Sequence, residues 1–268
     1  MTPPLDSPDR ASAVAVPRRP TYRLSRDGER GAGVVSGERR TPAHVALAKD
    51  LGIAIVTGVR APCSLLPGEV DLAEQRGVSR SVVREALRML SAKGLLDSRP
   101  KAGTRVRDRQ HWNLLDPDLL AWMFEGAPAL GFVRSLFQLR LIVEPAAAEL
   151  AAELRSGHQL SRLGHALERM GSAGLATAEG QAADQQFHTI ILEATGNELL
   201  MSLAGTISSA VRWTTLFKYR ASRMPRDPMP PHRALFEAIA EGNGEAARKA
   251  TSELIEQAQL DTEAAIDG

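Results

Sequence analysis

The chain has 268 residues, more than the ~100–200 of a single ordinary domain, and its 43% hydrophobic and 24% charged residues are the balance of a soluble globular protein. Its one cysteine, Cys63, excludes a disulfide framework and a multi-cysteine zinc site, and the absence of a run near ~18 apolar residues excludes a membrane span. The net charge of +1 hides a division: residues 1–40 hold eight Arg/Lys against five Asp/Glu (+3), residues 41–109 twelve against seven (+5), and residues 110–268 thirteen against twenty (−7). A basic front joined to an acidic back predicts that only the front meets a polyanion.

Residues 1–40 carry five prolines and eight arginines with no hydrophobic period, and read as a disordered, solvated tail. Their opening, MTPPLDSPDR, has early acids and no apolar core, so no secretory signal is expected and the cytoplasm is the expected compartment.

From Pro42 a helical pattern begins. Val45, Leu47, Leu51, Ile55 and Val56 recur at helical spacing up to Gly58. A Pro-containing loop, 61–67, leads to a short helix from Glu69 to Arg76 that Gly77 ends. Ser79 is placed to cap a third helix, whose Val82, Val83, Ala86, Leu87 and Leu90 form an apolar stripe before Gly94 stops it. Leu95–Arg99 and Thr104–Arg107 flank a Pro-Lys-Ala-Gly turn and predict a hairpin. Three helices and a hairpin, over residues 41–109, are the order of a winged helix-turn-helix.

Arg80, Arg84 and Arg88 stand at i, i+4 and i+8 in the third helix, on a face offset from that stripe. Guanidinium groups fork onto guanine edges or phosphates, as a helix in the major groove requires. Lys101, Arg105 and Arg107 cluster around Gly103, where bare backbone can approach a phosphate or the minor groove. A solvated basic face would show the same triplet; the helix order, the hairpin and the charge division favour double-stranded DNA as the partner.

Residues 110–127 read as a linker and docking helix, in which Trp112 and Trp122 pack, as does Trp213 further on. The remainder, residues 128–268, is helical: turn signals near Pro128, Gly157, Gly171–Gly174, Gly196, Pro225–Pro231 and Gly242–Gly244 predict six or seven helices after residue 109. The fold class is therefore mainly α, a winged helix-turn-helix followed by an antiparallel all-helical bundle. Asp184 and His188 are four apart on one helix face, with His232 further on; carboxylate with imidazole suits half of a divalent metal site, although a bare pair of this kind is more often a surface hydrogen bond. No positioned base, nucleophile or cofactor loop accompanies the pair, so no enzyme is expected. Arg140, if buried, needs an anion: Glu144, four residues on, or the carboxylate of an effector.

Leu66 to Val106, LPGEVDLAEQRGVSRSVVREALRMLSAKGLLDSRPKAGTRV, resembles the winged helix of the GntR transcription regulators. The anchors LPxE-x-x-LA, GVSR-x-x-VREAL, L-x-x-x-GL and G-x-x-V are present, while Val70 and Gly68 replace the Arg and Ser that many members carry. The resemblance implies that Arg80 and Arg84 contact DNA and that Gly103 sits at the wing tip; with the arginine face, the cap and the wing, the expected DNA-binding set is Ser79, Arg80, Arg84, Arg88, Lys101, Gly103 and Arg105. QLRLIVEPAAAELAA, DQQFHTIILEATGN and HRALFEAIAEGNGEAARKA resemble the FCD effector-binding domain of the FadR-type branch. That likeness implies a pocket with Arg140, Asp184, His188 and His232, and a zinc-like divalent metal held by Asp184, His188 and His232. Leu254 stands where the branch usually has a fourth ligand, which leaves either an incomplete metal site or a metal-free pocket. HWNLLDPDLLAWMFEG, LIVEPAAAELAAE and the missing last His together resemble members answering to sugar acids, implying an aldonate or related carboxylate effector; a polyhydroxylated ligand wants hydroxyl- and amide-bearing neighbours, for which Asn197, Tyr219, Thr214, Thr215 and Lys218 are the loose candidates. A homodimer on a palindromic operator is implied; the residues do not decide between repression and activation.

Overall fold

The computed structural model describes residues 41–99, 102–125, 128–221 and 226–267; the tail expected over 1–40 and the wing residue Lys101 lie outside them. Pro42, whose missing N–H is one that a helix start cannot satisfy, precedes α1 (Ala43–Val56), and the hydroxyl of Thr57 closes the helix by donating to the Ile53 carbonyl at 2.7 Å. α2 (Glu69–Arg76) ends at Gly77, which adopts the left-handed φ of +63° that a side chain disfavours. Ser79 caps α3 (Arg80–Ala92), its hydroxyl accepting from the Val82 N–H. The antiparallel hairpin pairs β1 (Leu96–Arg99) with β2 (Gly103–Val106), from Leu96 opposite Val106 to Arg99 opposite Gly103. Leu65 bridges to Arg105 on the outer edge of β2. Leu47, Leu51, Ile55, Leu72, Val83, Ala86, Leu87 and Leu90 close over Leu95, Leu96 and Val106 as one apolar cluster. Val82, expected in the buried stripe, is only half-buried.

α4 (Pro117–Met123) is capped by Asp116, whose carboxylate accepts from the N–H groups of Asp118 and Leu119. Its helical period divides its apolar residues between two cores. Leu119 and Trp122 pack with the winged helix, together with Trp112, while Leu120 and Phe124 pack with Val133, Leu136, Phe137 and Ala210. Thus residues 112–124 join the two cores directly.

The bundle consists of α5 (Leu130–Leu154), α6 (Gly157–Ala173), α7 (Ala178–Ala194), α8 (Glu198–Ser202), α9 (Ala204–Ala221), α10 (Met229–Glu241) and α11 (Gly244–Asp267). Ala147, Ala148, Ala151 and Ala152 of α5 present a narrow face that lets neighbouring helices approach closely, and Phe187, Ile190, Leu235 and Ile239 fill the space between them. After residue 109 the described residues hold eight α-helices rather than six or seven. The extra one is α8, one turn and a half opened by Asn197, whose side chain accepts from the N–H groups of Leu199 and Leu200. The turn signal at Gly196 predicts a break there; the added division falls at Leu203, the one residue between the end of α8 and the start of α9.

Candidate nucleic-acid interface and effector pocket

Arg80, Arg84 and Arg88 all emerge on the exposed face of α3, because Val83, Ala86, Leu87 and Leu90 turn the opposite face into the core. Arg84 is not idle there. Its Nη2 lies 2.9 Å from Glu69 Oε2, and its Nε 3.3 Å from the same oxygen, so the first residue of α2 holds the guanidinium plane. The Arg84 hydrogen bond is the largest influence on Glu69 and draws its carboxyl below the usual range, against the opposing effect of burial. Glu69 is the functional neighbour that residue-by-residue reading missed, although it is the Glu of the LPxE anchor. Arg88 Nη1 stands 3.6 Å from Glu85 Oε2, a loose exposed pair. On the wing, Gly103 takes φ +79° at the strand start with Leu65 Cδ1 packed where a Cβ would sit. Arg105 donates to the Cys63 carbonyl at 3.0 Å, which anchors the wing to the loop before α2. Ser79 is committed to its cap, with Ser81 Oγ 2.9 Å away.

Inside the bundle, five helices converge on a cavity of about 290 Å³. α5 brings Arg140, α7 Asp184 and His188, α9 Thr214, Thr215 and Lys218, α10 His232, and α11 Leu254, Gln257 and Asp261. Arg140, Asp184, His188 and His232 are each at most 4% exposed. Arg140 finds the partner on its own helix: its Nε lies 2.6 Å from Glu144 Oε1, and Glu144 Oε2 in turn lies 2.7 Å from His188 Nδ1. Of the two partners the sequence offers, the expectation leans to an effector carboxylate; in the fold Glu144 takes the guanidinium instead, because i and i+4 share a helix face. Burial pushes the Glu144 carboxyl up, but the charges of Arg140 and His188 outweigh it and hold it at about 2.

The histidine tautomers follow from these bonds. An ionised Glu144 accepts only, so His188 Nδ1 carries a hydrogen; the Pro228 carbonyl, 2.6 Å from His232 Nδ1, likewise accepts only. Where the rings are neutral Nε2 is then a lone pair, and where a proton is present it donates; both Nε2 atoms point at Asp184 Oδ1, at 3.6 Å and 3.2 Å. Three electron-pair donors thus face one another in a buried space, and only a proton or a cation between them relieves the repulsion. Burial raises the Asp184 carboxyl pKa, yet the hydrogen bond and charge of His232, with His188 and Arg140 behind, bring it below the usual value. Thr215 approaches the other oxygen, Oδ2, at 3.4 Å. The Phe187 ring meets both imidazoles edge-on, fixing their planes. Two imidazoles whose Nδ1 atoms are held by Glu144 and the Pro228 carbonyl, with one carboxylate, fit a borderline divalent ion. Leu254 forms wall instead of a fourth ligand.

Two expected effector contacts fall elsewhere. Asn197 caps α8 and is not part of the cavity wall, since its amide oxygen is taken by backbone N–H groups. Tyr219 also lies off the wall; its ring sits 5.5 Å from Lys218 Nζ. Gln257 and Asp261, by contrast, were not legible, because only the packing of α11 brings them within reach of α9.

Residues 44–106 match the family described as bacterial regulatory proteins, gntR family, and residues 135–257 match the FCD domain. The galactonate operon transcriptional repressor of Escherichia coli K12 is 33% identical over 207 residues, spanning 76% of this chain and 90% of that protein. The Uxu operon transcriptional regulator of the same organism is 35% identical over 144 residues, spanning 53% and 54%. Among solved structures, Lar, described as controlling the Listeria monocytogenes agr system, shares the fold with a TM-score of 0.58 at 20% identity, over 84% of this chain and 98% of that one. Among the described residues no helix is long and apolar enough to cross a membrane.

Proposed function

The chain belongs to the gntR family of bacterial regulatory proteins and carries an FCD domain, and from that premise we propose that this transcription regulator represses a sugar-acid catabolic operon and leaves its operator when a small carboxylate, galactonate or a related aldonate, enters the bundle. Residues 41–109 bind DNA, residues 110–127 couple, and residues 128–268 sense. Arg80, Arg84 and Arg88 enter the major groove, with Ser79 at the helix start and Lys101, Gly103 and Arg105 on the wing. Two copies on a palindromic site place two such helices about one turn of DNA apart. The protein works in the cytoplasm, where operator and metabolite meet.

The observation that carries the sensing half is the convergence of Asp184 Oδ1 with the Nε2 atoms of His188 and His232 beside Arg140 in a buried cavity. Asp184, His188 and His232 would hold a divalent ion. Bound there, the ion supplies a positive centre with open positions for a ligand carboxylate. The chain's own residues do the rest: Glu144 and the Pro228 carbonyl keep both Nε2 lone pairs turned inward, and Leu254 keeps the fourth side free of protein donors. The likeness to regulators of the galactonate and Uxu operons supports a sugar acid as the effector class.

The test is fluorescence anisotropy of the full chain with DNA from its own upstream region, with and without sugar acids. Salt-sensitive binding released by an aldonate supports the proposal, with log K falling by ~0.9 per phosphate contact per log unit of salt. Binding that every acid leaves unchanged removes the sugar-acid effector, and affinity indifferent to salt removes the DNA-reading role of the basic face.

A further inference from the structure

At the end of the cavity formed by α9 and α11, Lys218 is 8% exposed, and its ammonium has no hydrogen-bond acceptor among the described residues. Its nearest charge is Asp261, with Oδ2 at 3.9 Å, beyond hydrogen-bonding range. Asp261 is itself held in place: Gln257 donates to Oδ1 at 3.1 Å, and Arg226 stands 3.8 Å from the same atom. A buried donor and a fixed acceptor, both lining the cavity and too far apart to satisfy each other, leave room for one group that accepts from the first and donates to the second. A hydroxyl does both; a carboxylate or phosphate oxygen only accepts, and would face Asp261. Burial, the largest influence on Lys218, lowers its pKa although Asp261 and Asp184 oppose this.

The charge of the wall points the same way. Its three permanent cations, Arg140, Lys218 and Arg226, face four carboxylates, Asp184, Asp227, Glu253 and Asp261, and Glu144 neutralises Arg140 from behind. One divalent ion at Asp184, His188 and His232 would only bring this lining to balance. The lining thus offers no surplus positive charge for a second anionic group on the ligand. We propose that Lys218 and Asp261 form a hydroxyl-reading pair, selecting a polyhydroxylated monocarboxylate whose carboxylate docks at the Asp184 end and whose chain carries a hydroxyl to the α9–α11 end. This rests on the effector reading above and deepens it by assigning what the second half of the pocket recognises.

The experiment is isothermal titration of the full chain, supplemented with zinc, using galactonate, lactate and the dicarboxylate galactarate. Wild type is expected to bind galactonate more tightly than galactarate, and Lys218→Met and Asp261→Asn are each expected to lower the ratio of galactonate to lactate affinity at least tenfold. Melting curves establish that each variant is folded, and should Lys218→Met not fold, Asp261→Asn carries the test alone. An unchanged ratio in a folded variant overturns the pair while leaving the acid-sensing role intact, and galactarate binding more tightly than galactonate overturns it in favour of a second anion reader. If wild type binds none of the three acids, the sugar-acid effector itself falls and takes this inference with it.

Discussion

Lys93 Nζ lies 2.7 Å from Asp116 Oδ1, so the residue that ends α3 is tied to the residue that caps α4. Asp118 closes on the same ammonium at 2.8 Å, and the Trp122 ring lies 5.5 Å from it. α4 is held in turn by α9, where the Thr206 hydroxyl donates to the Leu115 carbonyl at 2.6 Å and the Ser209 hydroxyl to the Pro117 carbonyl at 3.0 Å. The far half of α9 lines the cavity with Thr214, Thr215 and Lys218. One helix, α9, therefore touches both the pocket and the support of α3.

Replacing Lys93 by Met should destabilise the chain by about 1–3 kcal/mol, since it leaves the acids of a mostly buried pair without their cation. Burial works against the Lys93 ammonium, but Asp116 and Asp118 together raise its pKa above the usual 10.5. The folded-state value is the higher one, so the stabilisation is complete below pH 10.5 and fades as pH rises through the folded value. Urea unfolding of both proteins, followed by tryptophan fluorescence, should show a gap that is constant at pH 7–9 and shrinks above pH 10.5. A gap that persists at higher pH would place the effect in packing instead.

Arg84→Ala should weaken operator binding by about 1–3 kcal/mol while scarcely changing affinity for scrambled DNA, if the guanidinium reads a base. Glu69→Gln should erode the same discrimination from the other side, by freeing the fork that Glu69 holds at 2.9 Å. Anisotropy on both DNAs checks both variants, and equal loss on the two sequences would assign Arg84 to a phosphate.

Metal affinity should respond to two residues that are not themselves ligands. Glu144→Gln weakens the grip on the His188 tautomer and should lower zinc affinity about 10–100-fold. Leu254→His, which adds an imidazole to the wall, should raise it. Competition against a chromophoric chelator measures both, and a Leu254→His protein with unchanged affinity would show that position 254 does not face the ion.

Gly52→Ala should cost about 1–3 kcal/mol, because a Cβ there runs into the indole of Trp122, where α1 meets α4. Gly131→Ala, in the first turn of α5 with open space around it, should gain a few tenths to about 1 kcal/mol from reduced backbone freedom. Paired melting curves decide, and a neutral Gly52→Ala would mean that α4 yields easily.

The winged helix was legible in the sequence because its signals are local. A capping Ser79, a left-handed Gly77, a four-residue period in α3 and a turn before Gly103 each act within a few residues, and these elements formed close to where the pattern put them. The Asp184 and His188 pair was visible for the same reason, and so was the Arg140 and Glu144 option, although not which partner the guanidinium takes. What only the tertiary structure decided was the company each group keeps across helices. Glu144 turned out to serve Arg140 and His188 at once, Asn197 was drawn off to a cap, and Lys218 met Asp261, 43 positions away, at 3.9 Å. Helical periodicity specifies which face of a helix is buried but not which helix it is buried against. The alanine face of α5 and the α9–α11 packing settle that choice through side-chain volumes summed over the whole core, and no local window of sequence contains that sum.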